Sequence, residues 1–127
     1  METNNFSRKE KAVDFLNLVA SGSVREGFAK YISAEFIHHN PFFQGDAESI
    51  MLAMEENAAQ NPSKVFDVKL AIEEKEYVAV HSHVKQNAED LGAAVVHIFR
   101  FEGDRVVELW DLGQAVPAES LNKNGMF

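Results

Sequence analysis

The sequence predicts an α+β domain in which three helices precede a curved, mostly antiparallel sheet and cover one of its faces. Two observations carry this prediction. Up to Pro62 the apolar residues recur mainly at helical spacing, whereas from Ser63 onward they alternate with a period of two, as in strands. Helices and strands are therefore grouped along the chain, which is typical of α+β folds. At 127 residues the chain is long enough for one domain with a real core, and we expect a single domain over residues 1–127.

The composition argues against several classes of function. A net charge of -8 disfavours nucleic acid or an anionic membrane as a partner. The absence of cysteine excludes disulfides, a thiol nucleophile and a thiolate metal site. No apolar run is long enough to cross a bilayer, and the polar, charged start of the chain is unlike a signal peptide. We therefore expect a cytoplasmic protein.

Two capping-box patterns predict the first two helices. Ser7 and Glu10 have the spacing of such a box at the start of the first helix, which Gly22 ends. Ser23 and Glu26 repeat the pattern at the start of a second, shorter helix. The apolar residues at helical spacing are Ala12, Phe15, Leu16 and Val19 in the first helix, and Phe28, Tyr31 and Ile32 in the second.

A short strand and a third helix follow. Residues 35–43, EFIHHNPFF, combine aromatic residues with β-branched Ile37, and Pro41 lies toward the far end, which predicts a strand that leaves into a loop. Asp46 is a suitable N-cap for the third helix, and the Asn-Pro pair at 61–62 ends it. The apolar stripe of this helix is Ile50, Met51, Met54 and Ala58.

Four long strands then form an antiparallel meander, with connections at 73–76, at 87–92 and at Gly103-Asp104. Alternation gives each strand two distinct faces. We expect one face of the first strand to hold Phe66, Val68, Leu70 and Ile72, and one face of the second to hold Val78, Val80, Ser82 and Val84.

Asp111, in the last strand, is the strongest candidate for chemistry. It follows Val107 and Leu109 on one face, while Trp110 points the other way. A carboxylate on an apolar face is costly to bury unless it is hydrogen-bonded, paired or protonated. The simpler alternative is that Asp111 lies at a frayed strand end, where it is solvated or caps a turn.

The hairpin register predicts a direct partner for Asp111. Counting outward from the turn, with Phe101 roughly opposite Val107, places His97 opposite Asp111 to within about one two-residue slip. A protonated His97 would stabilise the carboxylate, whereas a neutral His97 would only orient it. The apolar neighbours of His97 also fit a histidine that is simply part of a half-buried sheet.

The order of elements resembles the cone fold of the nuclear transport factor 2-like superfamily, an α+β barrel that stays partly open. Three motifs resemble its SnoaL-like branch, which contains polyketide cyclases and predicted aldol-condensation proteins: HIFRFEGDRVVELWDLGQAVP at 97–117, NGMF at 124–127 and HHNP at 38–41. The resemblance covers nearly the whole chain. It names no substrate, because the same fold hosts dehydratases, isomerases, hydrolases and many domains without activity.

The resemblance implies roles for particular residues. In the cyclases, an aspartate on the last strand removes or relays a proton from a carbon next to carbonyl groups, with a histidine of the preceding strand nearby. The matching positions are Asp111 and His97. This implies acid–base chemistry without a cofactor, an aldol-type cyclisation or an isomerisation, on a small carbonyl compound. The cyclases also carry a histidine where this chain has Leu109, so a non-catalytic module that binds a small molecule is the alternative.

Further residues are candidates for contact with a small, partly apolar ligand. Neighbouring strand residues face opposite ways, so at most one of His38 and His39 enters the pocket, and we favour His39. Asn40 fits either an enolate donor or a turn residue before Pro41. Ordinary core packing accounts equally well for the apolar and aromatic candidates. The expected substrate-binding residues are His39, Asn40, Phe42, His83, Leu109, Tyr31 and Met54.

Two features concern possible metals and partners. His81 and His83 share a strand face at the spacing of metal-binding HxH motifs, with His97 on the adjacent strand. We rank metal binding below histidines that line a cavity or a subunit contact, and we expect no metal. The later strands carry apolar residues on both faces, for example Val96 on one and Phe99 on the other. The face that the helices leave uncovered predicts a homodimer formed through the sheet.

Overall fold

A computed structural model describes residues 5–127, which fold into three helices and a five-stranded sheet. The strand order is β1-β5-β4-β3-β2; β1 is parallel to β5, and the other pairs are antiparallel. The edge strands β1 and β2 do not meet, so the sheet stays open, as expected for an α+β cone. The elements are α1 (Arg8–Ala20), α2 (Val24–Tyr31), β1 (Ile32–His38), α3 (Ala47–Gln60), β2 (Val65–Glu74), β3 (Tyr77–Lys85), β4 (Ala93–Glu102) and β5 (Arg105–Ala115).

The helix starts follow local sequence signals in two cases of three. At α1 the Ser7 hydroxyl accepts the Glu10 backbone N–H over 3.1 Å, and the Glu10 carboxylate accepts the Ser7 N–H over 2.8 Å, which is the predicted capping box. At α3 the Asp46 carboxylate accepts the Ser49 N–H over 2.9 Å. The second predicted capping box is wrong, because the Ser23 side chain makes no capping hydrogen bond to α2. No helix within residues 5–127 is long and apolar enough to cross a membrane.

The core lies between the helices and the inner face of the sheet, meaning the face that the helices cover. Phe15 of α1 is at its centre, with ring centroids 5.5 Å from Phe28 and 6.1 Å from Phe99, both edge-on. Phe99 is completely buried. These aromatic contacts attach α1 to α2 and to the middle of β4.

A β-bulge in β2 reverses the predicted orientation of two residues. The pairing of β2 with β3 shifts between Val68 and Leu70. One extra residue exchanges the two faces of a strand beyond the bulge. Leu70 and Ile72 are therefore 54% exposed on the outer face of the sheet, whereas we expected them to share a face with Phe66 and Val68.

Strand β1 ends partway along β5 and leaves one edge of that strand open. The last paired residue of β1 is His38, opposite Leu109, and the His39 N–H donates to the Leu109 carbonyl over 3.1 Å. The strand covers 32–38 instead of the predicted stretch at 35–43, and a loop over 39–45 follows. Beyond Leu109, no strand in the part of the chain that the structure describes covers this edge of β5.

Candidate functional site

Asp111 and Asn40 are joined across the open edge of β5. The Asn40 side-chain nitrogen donates to Asp111 Oδ2 over 3.1 Å. The amide orientation is fixed, because its oxygen accepts the backbone N–H of Phe42 over 2.9 Å and only its nitrogen can then face the carboxylate. Asn40 is therefore both a turn residue and a hydrogen-bond partner of Asp111.

A groove of about 670 Å³ lies beside this pair, and we call it the rim groove. Side chains from both faces of β5 border it, because the strand edge is open there. Most of its side chains are apolar or aromatic, with a few polar groups that converge near Asp111, as in sites for small organic molecules. The bordering residues are His39, Asn40, Pro41, Phe42, Val95, Trp110, Asp111, Leu112 and Gly113.

The backbone of β5 adds donors to this groove. The Leu109 carbonyl points toward β1, since it accepts the His39 N–H. Peptide groups two residues apart on a strand point the same way, so the N–H groups of Asp111 and Gly113 face the open edge. Gly113 also carries no side chain that would screen its amide. Backbone donors at the open strand edge and the Asp111 carboxylate therefore belong to residues that border the rim groove.

His97 lies directly opposite Asp111 on β4, as we predicted, although Phe101 pairs with Val106 and the register then shifts between Phe101 and Arg100. It is only 6% exposed, and its Nδ1 atom has no hydrogen-bond partner among residues 5–127. Burial lowers the pKa of His97 from 6.5 to about 4, and the attraction of Asp111 only partly opposes this. His97 is therefore neutral at neutral pH, so it does not form an ion pair with Asp111.

Lys64 is a charged neighbour of this site that was not predicted from the sequence. Its ammonium lies 5.4 Å from the centroid of the Phe66 ring, and the same ring meets His97 edge-on at 5.7 Å. The Lys64 amine donates to the Asn57 side-chain oxygen over 2.6 Å. Burial lowers the pKa of Lys64, and its charge further disfavours a proton on His97. A lone lysine before an apolar strand gives no pattern that would have identified it.

His38, and not His39, lies on the inner face of β1. It is 7% exposed and pairs with Leu109, which is also buried. Its Nδ1 accepts the Asn40 backbone N–H over 3.1 Å, and its Nε2 lies 2.6 Å from the Gln44 carbonyl oxygen. A nitrogen that accepts an N–H carries no proton, so the imidazole is neutral, with its proton on Nε2 and donated to Gln44.

His39, which we expected to enter the pocket, lies on the outer side of β1. Its ring stacks on Trp110 with centroids 5.0 Å apart and planes 9° from parallel. Its Nε2 contacts Glu108 Oε2 at 2.6 Å, and Arg100 Nε donates to the other oxygen over 2.8 Å. These two hydrogen bonds hold the pKa of Glu108 below its usual range. His39 thus borders the rim groove from the side away from His97.

Of four other residues that were predicted to contact the ligand, only one borders the rim groove. Phe42 borders the rim groove and is 86% exposed. Leu109 and Tyr31 are buried in the core, where the Tyr31 hydroxyl donates to Asp14. Met54 packs against the core from α3. Core packing, the alternative that the sequence left open, describes the positions of Leu109, Tyr31 and Met54.

His81 and His83 lie on the outer face of β3, away from the rim groove. The His83 Nε2 hydrogen-bonds to the Leu91 carbonyl over 2.8 Å. Both rings stack on Phe127, with centroids 5.6 Å from His81 and 4.4 Å from His83. His97 faces inward on the neighbouring strand, so the three histidines do not converge. Within residues 5–127, no group of three or more His, Cys, Asp or Glu side chains is arranged to hold a metal ion.

Three helices on an open, curved sheet, with an aspartate beside a groove at the uncovered strand edge, define a small cone-fold domain. The sequence matches the family model of the SnoaL-like domain over residues 12–109, and the chain belongs to this family. The matched segment ends just before Asp111, so the family match does not include the candidate acid. No curated protein matches the sequence.

Solved structures with the same fold come from several bacteria. A nuclear transport factor 2-like protein of unknown function from Cytophaga hutchinsonii is 15% identical, with a TM-score of 0.72 over 90% of this chain and 95% of that one. A SnoaL-like protein of unknown function from Burkholderia thailandensis is 16% identical, with a TM-score of 0.67 over 82% and 92%. A SnoaL-like polyketide cyclase from Agrobacterium tumefaciens is 12% identical, with a TM-score of 0.68 over 85% and 91%. At these identities the likeness shows the fold alone.

Proposed function

We propose that this protein catalyses proton transfer next to a carbonyl group of a small, partly apolar compound, in an aldol-type cyclisation or an isomerisation, without a cofactor. The observation that carries the proposal is the setting of Asp111. It is half-buried, it borders the rim groove, and its neighbours Asn40 and His97 are both uncharged. A carboxylate that is held in place but not neutralised by a cation is suited to accept a proton.

In this proposal each group has one step. Asp111 Oδ1, the oxygen that Asn40 does not hold, takes the proton from the carbon next to the carbonyl. The electron pair of that C–H bond forms an enolate, and the Gly113 backbone N–H at the open strand edge donates to the enolate oxygen. In an isomerisation, Asp111 returns the proton to another carbon. In an aldol closure, the enolate carbon bonds to a second carbonyl carbon, and the proton goes to the oxygen of that carbonyl.

The test is hydrogen exchange into simple ketones. Cyclohexanone and phenylacetone are incubated with the protein in D₂O, and deuterium at the carbon next to the carbonyl is followed by NMR. We expect the wild-type protein to accelerate exchange and Asp111→Asn to remove the acceleration, because an amide does not accept the proton. Asp104→Asn is the matched control, since it makes the same chemical change at an exposed position in the turn of the same hairpin.

The outcome separates catalysis from other roles of Asp111. If Asp111→Asn exchanges ketones as fast as the wild type, Asp111 is not the base. If Asp111→Asn unfolds while Asp104→Asn does not, the role of Asp111 is structural. Circular dichroism on each variant distinguishes the two results.

A second function is favoured by Leu109, which is only 3% exposed and packs into the core two residues before Asp111. The cyclases that this chain resembles have a polar residue at this position, whereas this chain has an apolar one. A module that binds a small carbonyl compound without turnover would keep the rim groove and need no second polar group. Native mass spectrometry of freshly purified protein tests this alternative: a retained small molecule together with no ketone exchange favours binding alone.

We further propose that the protein acts in the cytoplasm as a homodimer formed through the outer face of the sheet. The support is the set of apolar side chains on that face, including Leu70, Ile72 and Leu112, which are 54%, 54% and 62% exposed in the single chain. Apolar patches of this kind mark interaction surfaces.

A further inference from the structure

We propose that His38 is a positioning residue that sets the Asn40 amide against Asp111. His38 does not border the rim groove, so it acts through Asn40 and not on a ligand. Its ring holds both ends of the loop over 39–45, because Nδ1 accepts the Asn40 N–H and Nε2 donates to the Gln44 carbonyl. In its catalytic consequence this inference rests on the proposed function, in which Asp111 is the base.

The tip of the loop is exposed, and its contacts lie at its two ends. Phe42, at its tip, is 86% exposed, and the other residues over 41–45 are exposed as well. Within the loop, the Phe42 N–H donates to the Asn40 side-chain oxygen over 2.9 Å and the Phe43 N–H to the Asn40 carbonyl over 3.5 Å. At its base, the His38 N–H donates to the Gly45 carbonyl over 3.2 Å, and Ile37 forms an isolated bridge with Asp46. The imidazole is the side chain that joins Asn40 to Gln44 across the loop, and it directly holds the residue that contacts Asp111.

The support requires one chemical form of the ring. The Asn40 backbone N–H can only donate to an unprotonated Nδ1, and the Gln44 carbonyl can only accept from a protonated Nε2. The neutral imidazole with its proton on Nε2 satisfies both contacts. Long-range ¹H–¹⁵N spectra of the wild-type protein at neutral pH should show this tautomer for His38. The opposite tautomer, or an imidazolium, overturns the proposal without any variant.

Three substitutions separate the two ring contacts. In His38→Asn, the amide oxygen takes the place of Nδ1 as the acceptor for Asn40. In His38→Gln, the longer amide takes the place of Nε2 as the donor to Gln44 and leaves Asn40 without its acceptor. His38→Phe keeps a ring of similar shape and removes both contacts. His81→Phe, on the outer face of β3, is the control for replacing a histidine ring elsewhere in the sheet.

The readout is the side-chain amide signal of Asn40 in ¹H–¹⁵N spectra, which needs no ligand. In the wild type, the Nδ2 proton donated to Asp111 should be shifted downfield and exchange slowly with solvent. We expect His38→Phe and His38→Gln to lose this signature, and His38→Asn and His81→Phe to keep it. If His38→Phe does not fold, the Asn and Gln variants still give the comparison. A signature that survives in His38→Gln, or that disappears in His38→Asn, overturns the proposal.

Hydrogen exchange into ketones tests whether the position of Asn40 matters for catalysis. We expect the rate of ketone exchange to fall about tenfold or more in His38→Gln, because a small displacement of the Asn40 amide would misplace the Asp111 carboxylate. In His38→Asn the rate should recover. If the wild-type protein exchanges no ketone, the proposed function fails, while the Asn40 signal still decides whether His38 positions Asn40. If exchange proceeds and His38→Gln retains the full rate, the positioning role in catalysis fails and the proposed function stands.

Discussion

His97 lies directly opposite Asp111 in the β4–β5 pair, and yet the two side chains do not form an ion pair at neutral pH. The histidine is buried, and its Nδ1 has no partner among the residues that the structure describes. Burial lowers its pKa to about 4 despite the nearby carboxylate. A proton on His97 is therefore destabilising, which gives the fold a measurable dependence on pH.

This dependence has a definite sign. In the unfolded chain His97 binds a proton near its ordinary pKa of 6.5, whereas in the folded chain it does so only near pH 4. Between these values the unfolded state carries more protons, so stability falls as the pH is lowered. This difference in pKa corresponds to a loss of about 3 kcal/mol at most in the free energy of unfolding. Urea unfolding between pH 7 and pH 4 should show that His97→Gln loses stability less steeply than the wild type.

His81→Gln provides the control, because His81 lies on the outer face of the sheet and not in the core. This variant keeps His97, so it should still lose stability as the pH is lowered. Parallel curves for the wild type and His97→Gln would show that the buried histidine does not account for the loss of stability in acid.

The contact between Asn40 and Asp111 predicts a charge-swap rescue. Asn40→Asp keeps the oxygen that accepts the Phe42 N–H, but it places a second carboxylate against Asp111. We expect this variant to lose about 1 to 2 kcal/mol at neutral pH, because a charge-assisted hydrogen bond becomes a repulsion. When Asp111→Asn is added, the amide donor lies at position 111 and the carboxylate acceptor at position 40, so the hydrogen bond can form again. Chemical denaturation of both single variants and the double variant measures the coupling.

If the two substitutions are simply additive, the side chains do not interact in solution. A double variant that recovers most of the lost stability supports the contact. Since Asp111→Asn also removes the proposed base, the rescued protein should fold normally and still fail to exchange ketones. Stability and catalysis are thereby separated in one set of variants.

The homodimer is expected to depend on the middle of the outer face. Ile98 lies there between its cross-strand partners Ala79 and Trp110. We expect light scattering at micromolar concentration to give the mass of a dimer for the wild type and of a monomer for Ile98→Glu, because a charge would be buried in the interface. Leu121→Glu is the control, since Leu121 is fully exposed in the C-terminal segment. A monomeric wild type would contradict the expectation directly.

Most of the fold could be predicted because its signals are local. The capping box at Ser7 and the N-cap at Asp46 mark helix starts within a few residues. The pairing of His97 with Asp111 needs more than the turn at Gly103, because a register shift between Arg100 and Phe101 moves the pairing by one residue. The bulge in β2 could not be predicted in this way. It depends on how β2 pairs with β3, and neither glycine nor proline marks its position between Val68 and Leu70.

The site was harder to predict than the fold, because alternation gives two faces but does not say which is inner. For His38 and His39 a usable signal was present, since Phe36 is two residues before His38 and is buried in the core. A signal was also present for His83, because its neighbour Val84 belongs to the apolar face of β3 and His83 must therefore point to the other face. The role of His38 in holding the loop depends on contacts with backbone atoms, and side-chain patterns carry no information on these.

A final prediction concerns Gly92, which ends the connection between β3 and β4 and so fixes the strand that carries His97. Its φ angle is +77°, and an added Cβ would lie 2.3 Å from the Val84 carbonyl oxygen. Gly103 has a φ of +61° but nothing within 4 Å of an added Cβ. Gly103→Ala should therefore cost about 1 to 2 kcal/mol from backbone strain alone. Gly92→Ala should cost about 2 kcal/mol more, because the backbone must move to relieve the clash. Thermal and urea unfolding compare the two variants, and equal losses would mean that the approach of Gly92 to Val84 is not as close in solution.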